Sequence, residues 1–156
     1  MQPAEHIDLK NNQNATIEKS PGIYVVVSTQ PSATNVYRFG EATTDVAYRI
    51  RHHGKICAEP NNISRDLQPY DPIMLWYLPD WPARRVNMAE IVMFSALEAQ
   101  NHKAQNAVKY TSDKRKNKHG KFVSDKSNFV ISDEFDWEKF KNRVDRELAA
   151  IWKLGE

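Results

Sequence analysis

Residues 21–40 read PGIYVVVSTQPSATNVYRFG, and this stretch decides the fold. Its apolar run, 23–28, is short, β-branched and aromatic, as is typical of a buried strand. A connection that contains Pro31 follows, and 36–39 then alternates as a second strand that we expect to end at Gly40. The stretch therefore predicts a β-hairpin at the start of the folded domain.

Apolar spacing and turn residues predict the rest of the elements. The expected elements are a helix over 46–53 capped by Asp45, a long loop over 55–72, a strand over 73–78, a helix over 83–101, irregular structure over 103–126, a strand over 128–131, and a last helix from 137 capped by Asp136 or Ser132. Strands and helices in this order predict an α+β fold, with a small three-stranded mixed or antiparallel sheet flanked by helices and a C-terminal helical extension.

Composition divides the chain into three parts. Residues 1–20 are rich in Asn and Gln and predict a loose lead-in, 21–106 the folded domain, and 107–156 a basic segment followed by an amphipathic helix. The stripe of that last helix either packs back on the domain or forms the seam of a homodimer, and the sequence leaves both open. Cys57 is the only cysteine, which excludes an intrachain disulfide and a cysteine-based zinc cage.

A chain with a single cysteine is expected in a reducing, cytosol-like compartment. The chain is 40% hydrophobic and 27% charged, which indicates a folded protein and not a disordered one. No run approaches the roughly 18–20 apolar residues that a membrane span needs. The first residues lack the basic-then-apolar order of a signal peptide. We therefore expect a cytoplasmic protein with no membrane partner.

The basic charge of the chain is local. Residues 103–126 hold eight Lys or Arg and two Asp, a charge of +6, whereas the remaining 14 basic and 18 acidic residues sum to −4. A local excess of this kind favours contact with a polyanion such as the DNA backbone. The candidate DNA-binding residues are Arg51, His52, Lys109, Lys114, Arg115, Lys116, Lys118 and Lys121.

Residue types suited to phosphodiester chemistry recur at three places. Tyr24 follows Gly-Ile at the start of one strand, Tyr37 lies in the next strand, and Arg49 and His53 share one helix face because they are four apart. Arginine binds phosphate oxygens through its fork of N–H groups, and Tyr or His can move a proton. Glu90, on the long helix, adds a ligand for a hard cation.

This arrangement resembles the GIY-YIG nuclease family. The matching motifs are 22–24, 37–40, Arg49-x-x-x-His53 and Glu90, over about residues 21 to 106. The resemblance implies metal-dependent hydrolysis of DNA with Mg²⁺ or Mn²⁺ bound by Glu90, a first Tyr that helps to deprotonate the water, and an Arg that binds the phosphate. The catalytic residues it implies are Tyr24, Tyr37, Arg49, His53, Glu90 and Asn101.

Three assignments stay open within this resemblance. The second motif reads Tyr-Arg-Phe-Gly, so that if Gly40 is its anchor, Arg38 takes the place of the second Tyr and Tyr37 points to the other face. Glu98 lies eight residues after Glu90 on nearly the same face and is the alternative metal ligand. Asn106 is likewise the alternative to Asn101.

Two other functions fit the same sequence. In the first, a non-catalytic nucleic-acid-binding protein keeps the fold while the altered second motif has ended hydrolysis. In the second, the motif is accidental and the last helix mediates protein assembly. An endonuclease that cuts both strands with so short a chain would need a homodimer or two successive nicks, so we also expect self-association.

Overall fold

The structure is a computed structural model that describes residues 1–11, 18–29, 35–50, 70–103, 108–110, 114–116, 122–124 and 128–155. Its strands are β1 (Glu5–Asp8), β2 (Gly22–Ser28), β3 (Val36–Ala42), β4 (Tyr70–Tyr77), β5 (Val108–Tyr110), β6 (Lys114–Lys116), β7 (Phe122–Ser124) and β8 (Asn128–Ile131). Its helices are α1 (described over 46–50), α2 (Ala83–Lys103) and α3 (Trp137–Leu154). The α+β class predicted from the sequence is confirmed.

One antiparallel sheet organises the fold. Its strand order is β1-β4-β2-β3-β8-β5, and β6 and β7 form a separate two-stranded pair. The predicted hairpin is present, since β2 and β3 pair from Gly22↔Ala42 to Val27↔Tyr37. The prediction of three strands is wrong: in the described part of the chain the sheet has six, because β1 is added at one edge and β8 and β5 at the other.

Each face of the sheet buries a different set of apolar side chains. Helices α2 and α3 cover the face that carries Ile23, Phe39 and Trp76. Helix α1 covers the opposite face, where Val46 and Ile50 pack with the strand residues Tyr24, Val26 and Leu75. Alternation along β2 therefore assigns its odd-numbered residues to one layer and Tyr24 to the other.

Two segments predicted as irregular contain strands. The lead-in prediction is wrong for Glu5–Asp8, which pairs with β4 as strand β1 and places the His6 ring 4.8 Å from the Trp76 ring. The prediction of irregular structure over 103–126 is wrong for β5, β6 and β7. Each of these strands has only three residues, which is too short for apolar alternation to show, so sequence periodicity does not reveal them.

Two strand boundaries also differ from the predictions. Strand β3 continues through Gly40 to Ala42, because its last residues still pair with β2. Strand β4 begins at Tyr70 inside the predicted loop, with Pro72 next to a register shift in its pairing with β2. Proline is tolerated in a strand at such an irregularity, where its missing N–H leaves the ladder of hydrogen bonds intact.

The predicted helix starts are confirmed. The Tyr48 amide donates to Asp45 Oδ1 (3.0 Å) at the start of α1, and the Lys139 amide donates to Asp136 Oδ1 (3.0 Å) at the start of α3. The α3 stripe packs back into the core, and its buried residues are Phe140, Val144, Leu148 and Ile151. The predicted end of α1 at Gly54 lies outside the described residues. In the described ranges, no helix has both the length and the apolar character to cross a membrane.

Candidate active site

The candidate site lies at a free edge of the sheet. Strand β8 pairs with β3 only over Val36–Arg38, so within the described residues the second half of β3 has no neighbour on that side. Groups from both faces of the sheet can meet at such an edge. We call the six residues gathered there the edge site: Tyr24, Arg38, Glu41, Arg49, Asn87 and Glu90.

Tyr24 lies across β3 because the residue opposite it is Gly40. A Cβ atom placed on Gly40 would lie only 2.6 Å from Cζ of Tyr24 and closer still to its hydroxyl oxygen. Any larger residue at 40 would occupy the space of the phenol. The sequence predicted that Gly40 ends the strand. Instead, the strand continues, and the glycine leaves space for the Tyr24 ring.

The register decides between Tyr37 and Arg38. Arg38 pairs with Val26 two positions from the Tyr24↔Gly40 pair, so it shares the face of Tyr24, and its side chain donates a hydrogen bond to the Tyr24 hydroxyl. Tyr37 faces the opposite layer, where its ring lies 5.1 Å from that of Trp137. The structure thus places Tyr37 outside the edge site and Arg38 on the face of Tyr24.

Two carboxylates from different elements lie on the α2 side of this edge. Glu41 lies opposite Ile23, on the side of the sheet that α2 covers, and Glu90 lies on α2. The Asn87 amide, oriented with its nitrogen toward the carboxylate, donates to Oε1 (2.7 Å) and Oε2 (2.8 Å) of Glu41. Asn87 therefore fixes the position of Glu41 close to Glu90.

Electrostatic interactions link Glu41, Glu90 and Arg49. The pKa of Glu90 is raised to about 7, chiefly by burial and also by the Glu41 charge, while Arg49 acts to lower it. Burial likewise raises the pKa of Glu41, and Arg49 again opposes it. Arg49 reaches this point from α1, on the other side of the sheet, so both faces contribute to one site.

Tyr24 is held as a neutral phenol. Its side chain is 2% exposed. Burial raises its pKa to about 12, although Arg38 and Arg49 act to lower it. The hydroxyl is therefore protonated near neutral pH, and it is suited to orient neighbouring groups more than to accept a proton from water.

Three of the six predicted catalytic residues, Tyr24, Arg49 and Glu90, come together at this edge. Glu98, the alternative metal ligand, is exposed two turns further along α2. For Asn101 only the place in α2 is described. The remaining predictions fall on side chains or residues outside the described part of the chain: His53, Arg51, His52, Asn106, Lys109, Lys114, Arg115, Lys116, Lys118 and Lys121.

Sequence reasoning missed Glu41 and Asn87. Glu41 directly follows Gly40, and Asn87 precedes Glu90 by one helical turn. The spacing of Asn87 and Glu90 predicts a shared helix face, which was the available signal. Nothing local in the sequence shows that β3 continues past its glycine to bring Glu41 beside that face.

The donor set fits a hard divalent cation. Mg²⁺ is bound in proteins by one or two carboxylates together with several waters. Glu41 and Glu90 offer two carboxylates, one of them held by an amide, and their mutual repulsion favours a positive ion between them. No three His, Cys, Asp or Glu side chains in the described part of the chain group into a larger metal centre.

Comparison with known proteins does not assign this chain to a family. No protein-family model matches the sequence, and no curated protein or solved structure matches it significantly.

Proposed function

We propose that this protein is a divalent-metal-dependent endonuclease that hydrolyses DNA phosphodiester bonds at the edge site. One observation carries the proposal: Tyr24, Arg49 and Glu90, which come from three separate sequence motifs, meet around one sheet edge with a second carboxylate, Glu41. Cationic and anionic groups side by side suit a substrate that is an anion and a cofactor that is a cation. This is the function implied by the resemblance to the GIY-YIG family.

In this proposal, one group of residues binds the phosphate and another binds the metal. Arg49 is exposed on α1 and binds a non-bridging oxygen of the scissile phosphate. Glu41 and Glu90 would hold Mg²⁺ or Mn²⁺, with Asn87 orienting Glu41. When bound, the ion would stabilise the charge that develops on the phosphate and the leaving oxygen.

Hydrolysis forms a bond from a water oxygen to phosphorus and breaks the bond from phosphorus to the leaving strand, whose oxygen takes up a proton. The base role that the resemblance implies for Tyr24 does not suit a buried phenol that is protonated near neutral pH. His53, four residues after Arg49, stays the predicted proton carrier and lies outside the described residues.

Cleavage of supercoiled plasmid tests the proposal. Wild-type protein with Mg²⁺ or Mn²⁺ should convert the plasmid to nicked or linear DNA, and chelation of the metal should stop the reaction. Glu90→Gln and Arg49→Gln should each lower the rate about 100-fold or more, as expected when a group that acts on the transition state is removed.

Glu98→Gln is the matched control, since it removes the same charge from the same helix outside the edge site. It should cut at the wild-type rate. If Glu98→Gln abolishes cutting while Glu90→Gln does not, the site is wrongly placed. If wild-type protein cuts no DNA with any divalent ion, the proposed activity is wrong.

A non-catalytic nucleic-acid-binding protein is the second candidate. The observation that favours it is Arg38, a permanent cation where the resembled motif has a phenol. This function predicts salt-sensitive DNA binding that Glu90→Gln leaves intact, without cleavage.

A further inference from the structure

We propose that Arg38 is a second phosphate-binding residue of the edge site, anchored by the Tyr24 hydroxyl. The inference rests on the proposed function and specifies how its substrate is held. Arg38 and Tyr24 project from neighbouring positions on one face of the β2–β3 pair, and the Arg38 side chain donates a hydrogen bond to the Tyr24 hydroxyl.

The burial of the two side chains assigns their roles. Tyr24 is 2% exposed, whereas Arg38 is half-buried, so a ligand at the sheet edge meets the guanidinium before the phenol. A guanidinium carries five N–H donors in a planar fork, and one side chain can therefore hold both a phenol oxygen and a phosphate oxygen. Tyr24 is the anchor, and Arg38 is the group that contacts the substrate.

The charges around Tyr24 support a phosphate at this point. Arg38 from β3 and Arg49 from α1 both act to lower the pKa of Tyr24, against one carboxylate, Glu90, that raises it, so two guanidinium groups from different elements outnumber the anion at this point. Glu41 and Glu90 lie on the α2 side of the same edge. The site thus combines two guanidinium groups that suit the phosphodiester with two carboxylates that suit the metal.

The anchoring also accounts for Gly40. The space above this glycine lets the phenol extend over β3 far enough to meet Arg38. A guanidinium fixed at its phenol contact gives up less conformational freedom when it binds a phosphate. The Tyr24–Gly40 pair thereby sets where Arg38 presents its remaining N–H groups.

The salt dependence of DNA binding measures this contact without requiring cleavage. A short DNA duplex, titrated by fluorescence anisotropy in Ca²⁺ at several salt concentrations, gives the slope of log K against log salt. Each phosphate contact contributes about 0.9 to this slope for duplex DNA. We expect Arg38→Gln to reduce the slope by about that amount, and Arg38→Lys to keep it because the charge remains.

Three variants complete the experiment. Arg146→Gln, an exposed charge on α3, should keep the wild-type slope. Tyr24→Phe should weaken binding severalfold in the wild-type background and have no further effect in the Arg38→Gln background, because the anchor acts through Arg38. Thermal unfolding of each variant confirms that it is folded.

The outcomes separate this inference from the proposed function. A wild-type slope in folded Arg38→Gln, or an equal reduction in Arg146→Gln, overturns the inference even if plasmid is cut. Additive effects of Tyr24→Phe and Arg38→Gln overturn the anchoring. A reduced slope in Arg38→Gln sustains the inference even if wild-type protein cuts no DNA, and absence of duplex binding by wild-type protein overturns both.

Discussion

Tyr24 can cross β3 only over a residue without a side chain. An alanine methyl at position 40 would meet Cζ of Tyr24 at 2.6 Å, and the phenol is 2% exposed, so it has little room to move. We expect Gly40→Ala to lower the free energy of unfolding by about 1–3 kcal/mol, the usual cost of overpacking a core. Urea denaturation monitored by tryptophan fluorescence measures this change.

Gly155→Ala is the matched control for that substitution. Its new methyl would meet the flexible end of Met1, with Sδ at 2.8 Å, which can move aside. Equal stability of Gly40→Ala and Gly155→Ala would show that Tyr24 does not lie across the glycine.

Glu90 makes the stability of the metal-free protein depend on pH. Its folded pKa of about 7 lies above the ordinary value of 4.5, chiefly because of burial. Between these values the folded state binds more protons than the unfolded state, so the free energy of unfolding falls as pH rises through this window. Glu90→Gln removes this dependence.

The comparison is between urea denaturation at about pH 5 and about pH 8, without divalent ions. We expect Glu90→Gln to gain stability relative to wild type at the higher pH and to match it more closely at the lower one. A difference that grows toward acid would contradict the burial of this carboxyl.

At the scale of elements, a hydrogen bond within an otherwise apolar layer joins α3 to the sheet. Trp76 Nε1, on the fully buried indole of β4, donates to Asp145 Oδ1 on α3 (2.7 Å), and Lys141 Nζ lies 2.9 Å from Asp145 Oδ2. Asp145→Ala would leave the indole N–H without this acceptor, and we expect the free energy of unfolding to fall by about 1–3 kcal/mol.

Glu147→Ala is the control on the same helix, because its partly exposed pair with Arg143 (3.4 Å) contributes about 0–1 kcal/mol. Asp145→Asn should recover most of the stability, since its amide oxygen can still accept. If Asp145→Ala costs no more than Glu147→Ala, the indole contact does not hold α3.

The elements that sequence could predict are those with strong periodicity. The hairpin, both long helices and the caps of α1 and α3 follow from local residue patterns, as the Asp45 and Asp136 caps show. Strand β1 could not be predicted because four residues at a sheet edge are stabilised by β4 and not by their own pattern. Within the site, Tyr24, Arg49 and Glu90 belong to local motifs, whereas Glu41 enters only because β3 continues past Gly40.

At the scale of the whole molecule, we expect the strength of DNA binding to depend on how charge is distributed along the chain. The excess of +6 over 103–126 contrasts with −4 elsewhere. Replacing Lys114, Arg115 and Lys116 together by Gln should weaken duplex binding and reduce the salt slope by roughly 2–3, because each phosphate that a cation neutralises contributes about 0.9 to the slope. Anisotropy titrations at several salt concentrations provide the measurement.

The control removes the same charge from α3, with Lys139, Arg143 and Arg146 changed together to Gln. This variant should bind DNA with the wild-type slope. An equal effect of both triple variants would indicate that net charge alone governs binding and that the basic segment has no special part in it.

The central claim is that one metal-dependent active site lies at the β3 edge. It is tested most directly by the Mn²⁺ dependence of plasmid cleavage, followed together with bound Mn²⁺ by electron paramagnetic resonance on the same samples. We predict that cleavage and binding saturate at the same Mn²⁺ concentration and that Glu41→Gln and Glu90→Gln each weaken both, while Glu98→Gln changes neither. Wild-type cleavage and Mn²⁺ binding in Glu41→Gln and Glu90→Gln would contradict the claim.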